Sequence, residues 1–217
     1  PMSRACKQAV KLMDDVEHQI HDLYQAVELN TRFDLQTTRN IAKGLVTNVT
    51  DNPDALVWVA RMQNKDQHTY YHAVSASIWG LVLGRQLGLE LSALETLATG
   101  LLLSQVGKTK LPDQLLVDAD TLSARDYLHY QSYVMESVQL LKMDPAIGPQ
   151  VISVVEHHRE RHNGSGFPKG VTGEQIPLLG KIAGLVDRFQ ELIHPHAGAN
   201  PMGPAQAMSV LFQSSNI

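Results

Sequence analysis

The sequence predicts an all-α fold, on three observations. Apolar residues recur at three- and four-residue steps through most of the chain. No stretch holds the two-residue alternation of a half-buried strand, and the apolar run over residues 151–155 continues into helix-period neighbours. Turn-forming residues, Asn52-Pro53, Gly88 and Asp144-Pro145 among them, stand between the periodic segments rather than within them.

Over residues 3–29, Ala9, Met13, Val16, Ile20, Leu23 and Val27 form one stripe with Asp14, Asp15, Glu17 and Asp22 between them, which predicts a long amphipathic helix. Such a helix packs on the core, spaces the chain from another domain, or pairs with a second copy to make a homodimer. Asp34 is placed to cap a second helix carrying Ile41, Leu45 and Val49, which Asn52-Pro53 stops. A short third helix covers residues 54–62, and residues 63–67 read as a polar turn. The next helix, over 69–87, points Val74, Ile78, Leu81 and Val82 inward, with His68 and His72 one turn apart at its start. Ser92, with Glu95 three residues on, is the expected cap of a helix reaching Gln105. Residues 120–141 read as one further helix, with Ser123 as its cap. The helix after Asp144-Pro145 lines up Ile147, Val151, Val154, Val155 and His158 on one face, and a glycine loop follows through Gly173. A strong helix over 178–193 aligns Leu179, Ala183 and Asp187, and a short one covers 205–212.

Composition narrows the function. A net charge of −4 supplies no basic field for DNA or RNA. No apolar run approaches the roughly 20 residues that span a bilayer, and no basic-then-apolar signal pattern opens the chain, which reads as cytoplasmic. The single cysteine, Cys6, excludes an internal disulfide and a cysteine-based zinc cluster, leaving His, Asp and Glu as metal ligands. Of the ten histidines, His18, His21, His194 and His196 are read as solvated surface.

Periodicity sends His72, His158 and Asp187 to the interior, with Lys108 after a glycine turn. Two imidazoles and a carboxylate suit one divalent cation, and a lysine suits a phosphate. The alternative is equally physical: an interior histidine is more often a hydrogen-bonded core residue than a ligand, and Asp187 has Lys108 or Lys181 as candidate ion-pair partners.

Four segments, KDQHTYYH, LLLSQVGKTKLP, HHRERHNGSGFPKGVTGEQIP and AGLVDRFQELI, together resemble the HD-GYP family of the HD superfamily of metal-dependent phosphohydrolases, over about residues 54–193. The resemblance implies an HD-type helical bundle over residues 53–217, preceded by an N-terminal helical region or linker over 1–52. It also implies, for active members, a two- or three-iron centre that hydrolyses cyclic di-GMP. Laid on this chain, the signature His-Asp pair falls on Ser104-Gln105, and the acidic ligand before His72 falls on His68. The middle-helix histidine falls on Tyr133, with Ser137 where the family has glycine. The His-His-Glu triplet becomes His158-Arg159-Glu160, or begins at His157 if one residue is inserted. Lys108 and Asp187 are kept, and the Gly-Tyr-Pro triplet is Gly166-Phe167-Pro168.

These differences bear on the chemistry. A bridging hydroxide is activated by two cations held on a shared carboxylate. Gln105 is neutral, Ser104 is short and protonated, Tyr133 has an ordinary pKa of about 10, and Arg159 brings a fixed positive charge. The expectation is a degenerate domain with no bound cofactor, acting as a regulatory or interaction module in cyclic di-GMP signalling. Lys108, Ser104 and Gln105 then remain as vestiges of a catalytic shell. The alternatives are a weakly active phosphodiesterase with one iron or manganese on His72, His158 and Asp187, and a receptor that binds cyclic di-GMP without hydrolysing it. The contacts expected for nucleotide or partner are Lys108, Arg159, Gly164, Gly166, Phe167, Pro168 and Lys169. The partner class the resemblance implies is a GGDEF-type cyclase or another signalling domain.

Overall fold

A computed structural model describes residues 4–30, 35–62, 69–195 and 200–214. The described residues form helices joined by loops, and their sole strand-like pairing is an isolated bridge between Asn163 and Thr172. In chain order the helices are α1 (Arg4–Glu28), α2 (Leu35–Asp51), α3 (Pro53–Met62), α4 (Thr69–Gln86) and α5 (Leu91–Leu103), then α6 (Ala124–Gln131), α7 (Tyr133–Lys142), α8 (Pro149–His157), α9 (Leu178–Ile193) and α10 (Pro204–Gln213). Asp34, His68, His196 and the turn expected over 63–67 lie outside the described residues.

The principal core runs across seven of these helices. Met13 and Ile20 of α1, Leu45 of α2, Leu56 of α3, Ile78 of α4, Leu102 of α5, Val138 of α7 and Val155 of α8 all belong to it and are fully buried. Full burial of each such side chain is worth about 1.5–3 kcal/mol, so α1 and α2 are bound to the bundle by the same force that holds the bundle together. A second apolar cluster, with Leu97, Leu101, Val154, Ile182 and Val186, joins α4, α5, α8 and α9.

The long amphipathic helix packs on the core: its predicted stripe is buried, Asp14, Asp15 and Asp22 are exposed, and Glu17 is buried beside the stripe. Two contacts tie its C-terminal half to the end of α5 and the turn beyond it. The Tyr24 hydroxyl donates to the Leu102 carbonyl at 2.9 Å, and the Lys110 ammonium donates to the Val27 carbonyl at 2.7 Å and to Asn30 Oδ1 at 2.5 Å.

Three element boundaries differ from the sequence reading. The cap of α5 is Glu90 rather than Ser92, which sits in the first turn with its carbonyl accepting from the Thr96 hydroxyl at 2.9 Å. The α-helix ends at Leu103 and continues as a tighter 3₁₀ turn, Val106–Lys110, because the Gly107 amide donates to Ser137 Oγ of α7 at 2.8 Å and draws the chain aside. A Cβ on Gly107 would stand 2.1 Å from the Tyr133 carbonyl oxygen, so this approach needs glycine. The single helix expected over 120–141 is instead a 3₁₀ turn, then α6, then α7, broken at Ser132. The Ser132 hydroxyl bonds back to the His129 carbonyl at 2.7 Å, a local competition that bends helices. Ser123 caps α6 as expected, accepting from the Asp126 amide.

Candidate functional site

Five elements converge on one buried point. The first turn of α4 brings His72, the end of α5 brings Ser104 and Gln105, and the start of α7 brings Tyr133. The C-terminal end of α8 brings His158 and Arg159, and the middle of α9 brings Asp187. His158, Asp187 and Tyr133 are fully buried, and Gln105 nearly so.

Asp187 is the hub. Its Oδ1 lies 2.8 Å from His72 Nε2 and accepts from Gln105 Nε2 at 3.0 Å. Its Oδ2 accepts from the Arg159 guanidinium at 2.8 Å. The same guanidinium nitrogen donates to Glu191 Oε1, and Arg188 reaches the other Glu191 oxygen at 3.0 Å. Burial by itself would raise the Asp187 pKa, but Arg159 and His72 hold it well below the usual carboxylate range. Burial opposes ionisation of Glu191 too, and Arg159 overrides it, leaving a pKa of about 2. Asp187 therefore pairs with Arg159 rather than with Lys108 or Lys181, because Arg159 follows the last turn of α8 directly against α9.

His158 is held in one tautomer. Its Nδ1 lies 2.7 Å from the Val155 carbonyl, which can only accept, so Nδ1 carries the proton. Nε2 is then an acceptor and takes the Tyr133 hydroxyl at 3.0 Å. Desolvation lowers the His158 pKa to about 4 despite the nearby Asp187 charge. His157 is turned away, its Nδ1 2.8 Å from the Ser153 carbonyl, so His158 is the histidine of the site.

Lys108 is buried with its ammonium 4.9 Å from the ring centre of Tyr133 and 5.3 Å from that of Tyr130, a cation–π arrangement. Phe167 joins this aromatic cluster, edge-on to Tyr133 and Tyr127, and carries the Arg159 guanidinium 5.3 Å over its own ring. Being 6% exposed, Phe167 spends its ring on the interior. At the loop Gly164, Gly166 and Pro168 are half-buried, and Lys169 is exposed and pairs with Glu156 at 2.9 Å.

Three roles were not legible as site features. Glu191 stands four residues after Asp187, one helical turn along the same face, and that spacing was the available signal. Glu160 is buried and accepts from the Lys169 and Val171 amides at 2.7 and 3.1 Å, which shapes the glycine loop. His194, expected at the surface, is half-buried edge-on against Tyr71, because the chain turns back after α9.

The iron pair that the resemblance implies does not fit these side chains. The oxygens of Asp187 each accept from a donor of the protein, His158 Nε2 accepts from Tyr133, and a guanidinium occupies the space between Asp187 and Glu191. Gln105 Oε1 is buried without a protein partner, but one neutral amide oxygen beside a fixed positive charge does not make a cation site. Among the described residues, no group of three or more His, Cys, Asp or Glu side chains is arranged to hold a metal ion.

Comparison with known proteins places this geometry in a family. Residues 59–216 match the family model described as HD domain. A cyclic di-GMP phosphodiesterase of Pseudomonas aeruginosa is 23% identical over 186 residues, covering 86% of this chain and 45% of that protein. A 3′3′-cGAMP-specific phosphodiesterase of Vibrio cholerae is 28% identical over 148 residues, 68% of this chain and 34% of its own length. The chain thus spans less than half the length of these relatives. A solved structure described as an HDG"Y"P protein from Bdellovibrio bacteriovorus has a TM-score of 0.83 at 20% identity, covering 98% of this chain and 68% of that one. The structural likeness thus extends over the N-terminal helices, beyond the segments in which the motifs lie. The chain belongs to the HD domain family, in its HD-GYP branch of cyclic di-GMP phosphodiesterase relatives.

Proposed function

We propose that this domain serves cytoplasmic cyclic di-GMP signalling without hydrolysing the nucleotide, as a regulatory or protein-interaction module. The observation that carries this reading is the internal use of the site's lone pairs. Both Asp187 oxygens and His158 Nε2 are bonded to protein donors at full burial, where activation of a bridging hydroxide needs them on cations. The family membership supports the signalling context. A GGDEF-type cyclase or another domain of the same pathway is the partner class that accompanies it, with the outer side of the glycine loop as the surface available.

The test is to purify the domain, measure iron and manganese by elemental analysis, and incubate it with cyclic di-GMP and with 3′3′-cGAMP in the presence of manganese. The expected result is substoichiometric metal and no turnover of either dinucleotide. About two metals per chain, or metal-dependent hydrolysis that disappears in Asp187→Ala, would overturn the reading.

One feature favours nucleotide binding without hydrolysis: the Lys108 ammonium rests on tyrosine rings with no carboxylate partner among the described residues, and because it is buried a phosphoryl group would reach it only through an opening of the aromatic cluster. Calorimetric titration with cyclic di-GMP checks this. Binding weakened in Lys108→Met supports it, and binding equal in that variant removes it.

A further inference from the structure

We infer that Arg159 is the resident cation of this centre, its guanidinium doing the electrostatic task of a bound metal by bridging Asp187 and Glu191. The inference rests on the non-hydrolysing reading above and adds what replaced the metal and what that replacement holds together.

Asp187 and Glu191 stand one helical turn apart on α9, with side chains 1% and 17% exposed. Two carboxylates withdrawn from water on one face repel each other and require a positive partner close by. His158 is not that partner, since its Nε2 accepts from Tyr133, and Lys108 rests on aromatic rings. Arg188 touches the outer oxygen of Glu191 alone. Arg159 alone among the described cations reaches both carboxylates, through one guanidinium nitrogen, as a bridging ion does.

The residue is also placed to be more than a counter-ion. Its guanidinium lies on the Phe167 ring, and its backbone carbonyl accepts from the Phe167 amide at 3.1 Å. Arg159 therefore ties the glycine loop to α9 without a metal. A guanidinium has no open coordination position and cannot lower the pKa of a water, so it supplies the charge of a metal and none of its chemistry. Without it, the space beside Asp187, Glu191 and His72 presents two carboxylates and an imidazole, a donor set suited to a divalent cation.

Thermal unfolding of three proteins, with chelator and with manganese, tests the inference. For the unaltered domain the midpoint is expected to stay the same in both. Arg159→Met is expected to unfold on the order of 10 °C lower, as breaking a buried ion pair does at this chain length. Manganese should restore part of that loss. Adding Asp187→Asn and Glu191→Gln to Arg159→Met should recover most of the midpoint and abolish the manganese effect, because no unpaired charge remains. If Arg159→Met proves too unstable to purify, Arg159→Lys, which keeps the charge but not the fork, takes its place and should show a smaller loss. A midpoint in Arg159→Met equal to that of the unaltered domain, or no recovery in the triple variant, overturns the inference while leaving the non-hydrolysing reading standing. Loss of the unaltered domain's stability in chelator sinks both.

Discussion

His158 shows how strongly one environment can fix one side chain. The imidazole is buried, neutral, and hydrogen-bonded at both nitrogens, with its pKa lowered to about 4. In the unfolded chain it takes up a proton near the ordinary value of 6.5. As pH falls from about 6.5 to about 4, the unfolded state therefore gains protons that the folded state does not, and stability is lost progressively, by about 3 kcal/mol in total. His158→Gln should flatten that part of the profile, as read from urea unfolding midpoints at a series of pH values. An unchanged slope in the variant would mean that another group titrates there. The partner across the bond gives a second expectation. Tyr133→Phe removes the hydroxyl that serves His158 Nε2 and leaves a buried acceptor unmet, which costs about 1–3 kcal/mol. The same unfolding measurement, made at pH 8 where His158 is neutral in both states, isolates that loss.

At the scale of elements, the helices were legible in the sequence because their packing faces are periodic. Met13, Val16, Ile20 and Val27 are buried where their spacing put them, and so are Val151, Val154 and Val155. The boundaries were less legible because single hydrogen bonds, one local and one tertiary, decide them. The break between α6 and α7 at Ser132, and the tightening after Leu103, depend on a serine hydroxyl and on the approach of Gly107 to α7. The first is a short-range bond that a serine in a helix can make or forgo, and the second joins Gly107 to a residue on another helix. Two glycines make the contrast testable. Gly107→Ala drives a Cβ against the Tyr133 carbonyl, 2.1 Å away, and should lower stability by more than about 3 kcal/mol or prevent folding, since backbone must move. Gly44→Ala, inside α2, meets nothing nearer than a Leu12 methyl at 3.6 Å and should raise stability by roughly 0.5–1 kcal/mol. Denaturant midpoints of the two variants measure both signs.

Across the whole molecule, the scaffold and the centre carry different messages. Residues 59–216 match the HD family model, and at the buried centre Gln105, Tyr133 and Arg159 are bonded to His158 and Asp187 as one connected set. The resemblance marked Ser104, Gln105, Tyr133 and Arg159 as positions that differ from the HD-GYP pattern, most clearly Ser104-Gln105, which lie inside the kept frame of Leu102, Leu103, Val106, Gly107 and Lys108. It did not show that three of them bond to the retained residues, or that Glu191 completes the ion cluster, because those contacts join α5, α7, α8 and α9 from far apart in the chain. If the positions are adapted to one another, restoring the signature pair alone must fail. In Ser104→His/Gln105→Asp, the amide that donates to Asp187 Oδ1 at 3.0 Å is replaced by a second carboxylate, and like charges at that distance cannot both ionise in a buried site. The imidazole must also enter a position where a serine is 1% exposed, which overpacks the end of α5. The double variant should therefore unfold at a lower temperature than the parent and show no manganese-dependent hydrolysis of cyclic di-GMP. Adding Arg159→His removes the fixed cation, and manganese should then raise the unfolding midpoint, a response absent from the double variant. Hydrolysis by the double variant itself would show that Arg159 does not exclude the metal, and that the centre is separable into independent positions.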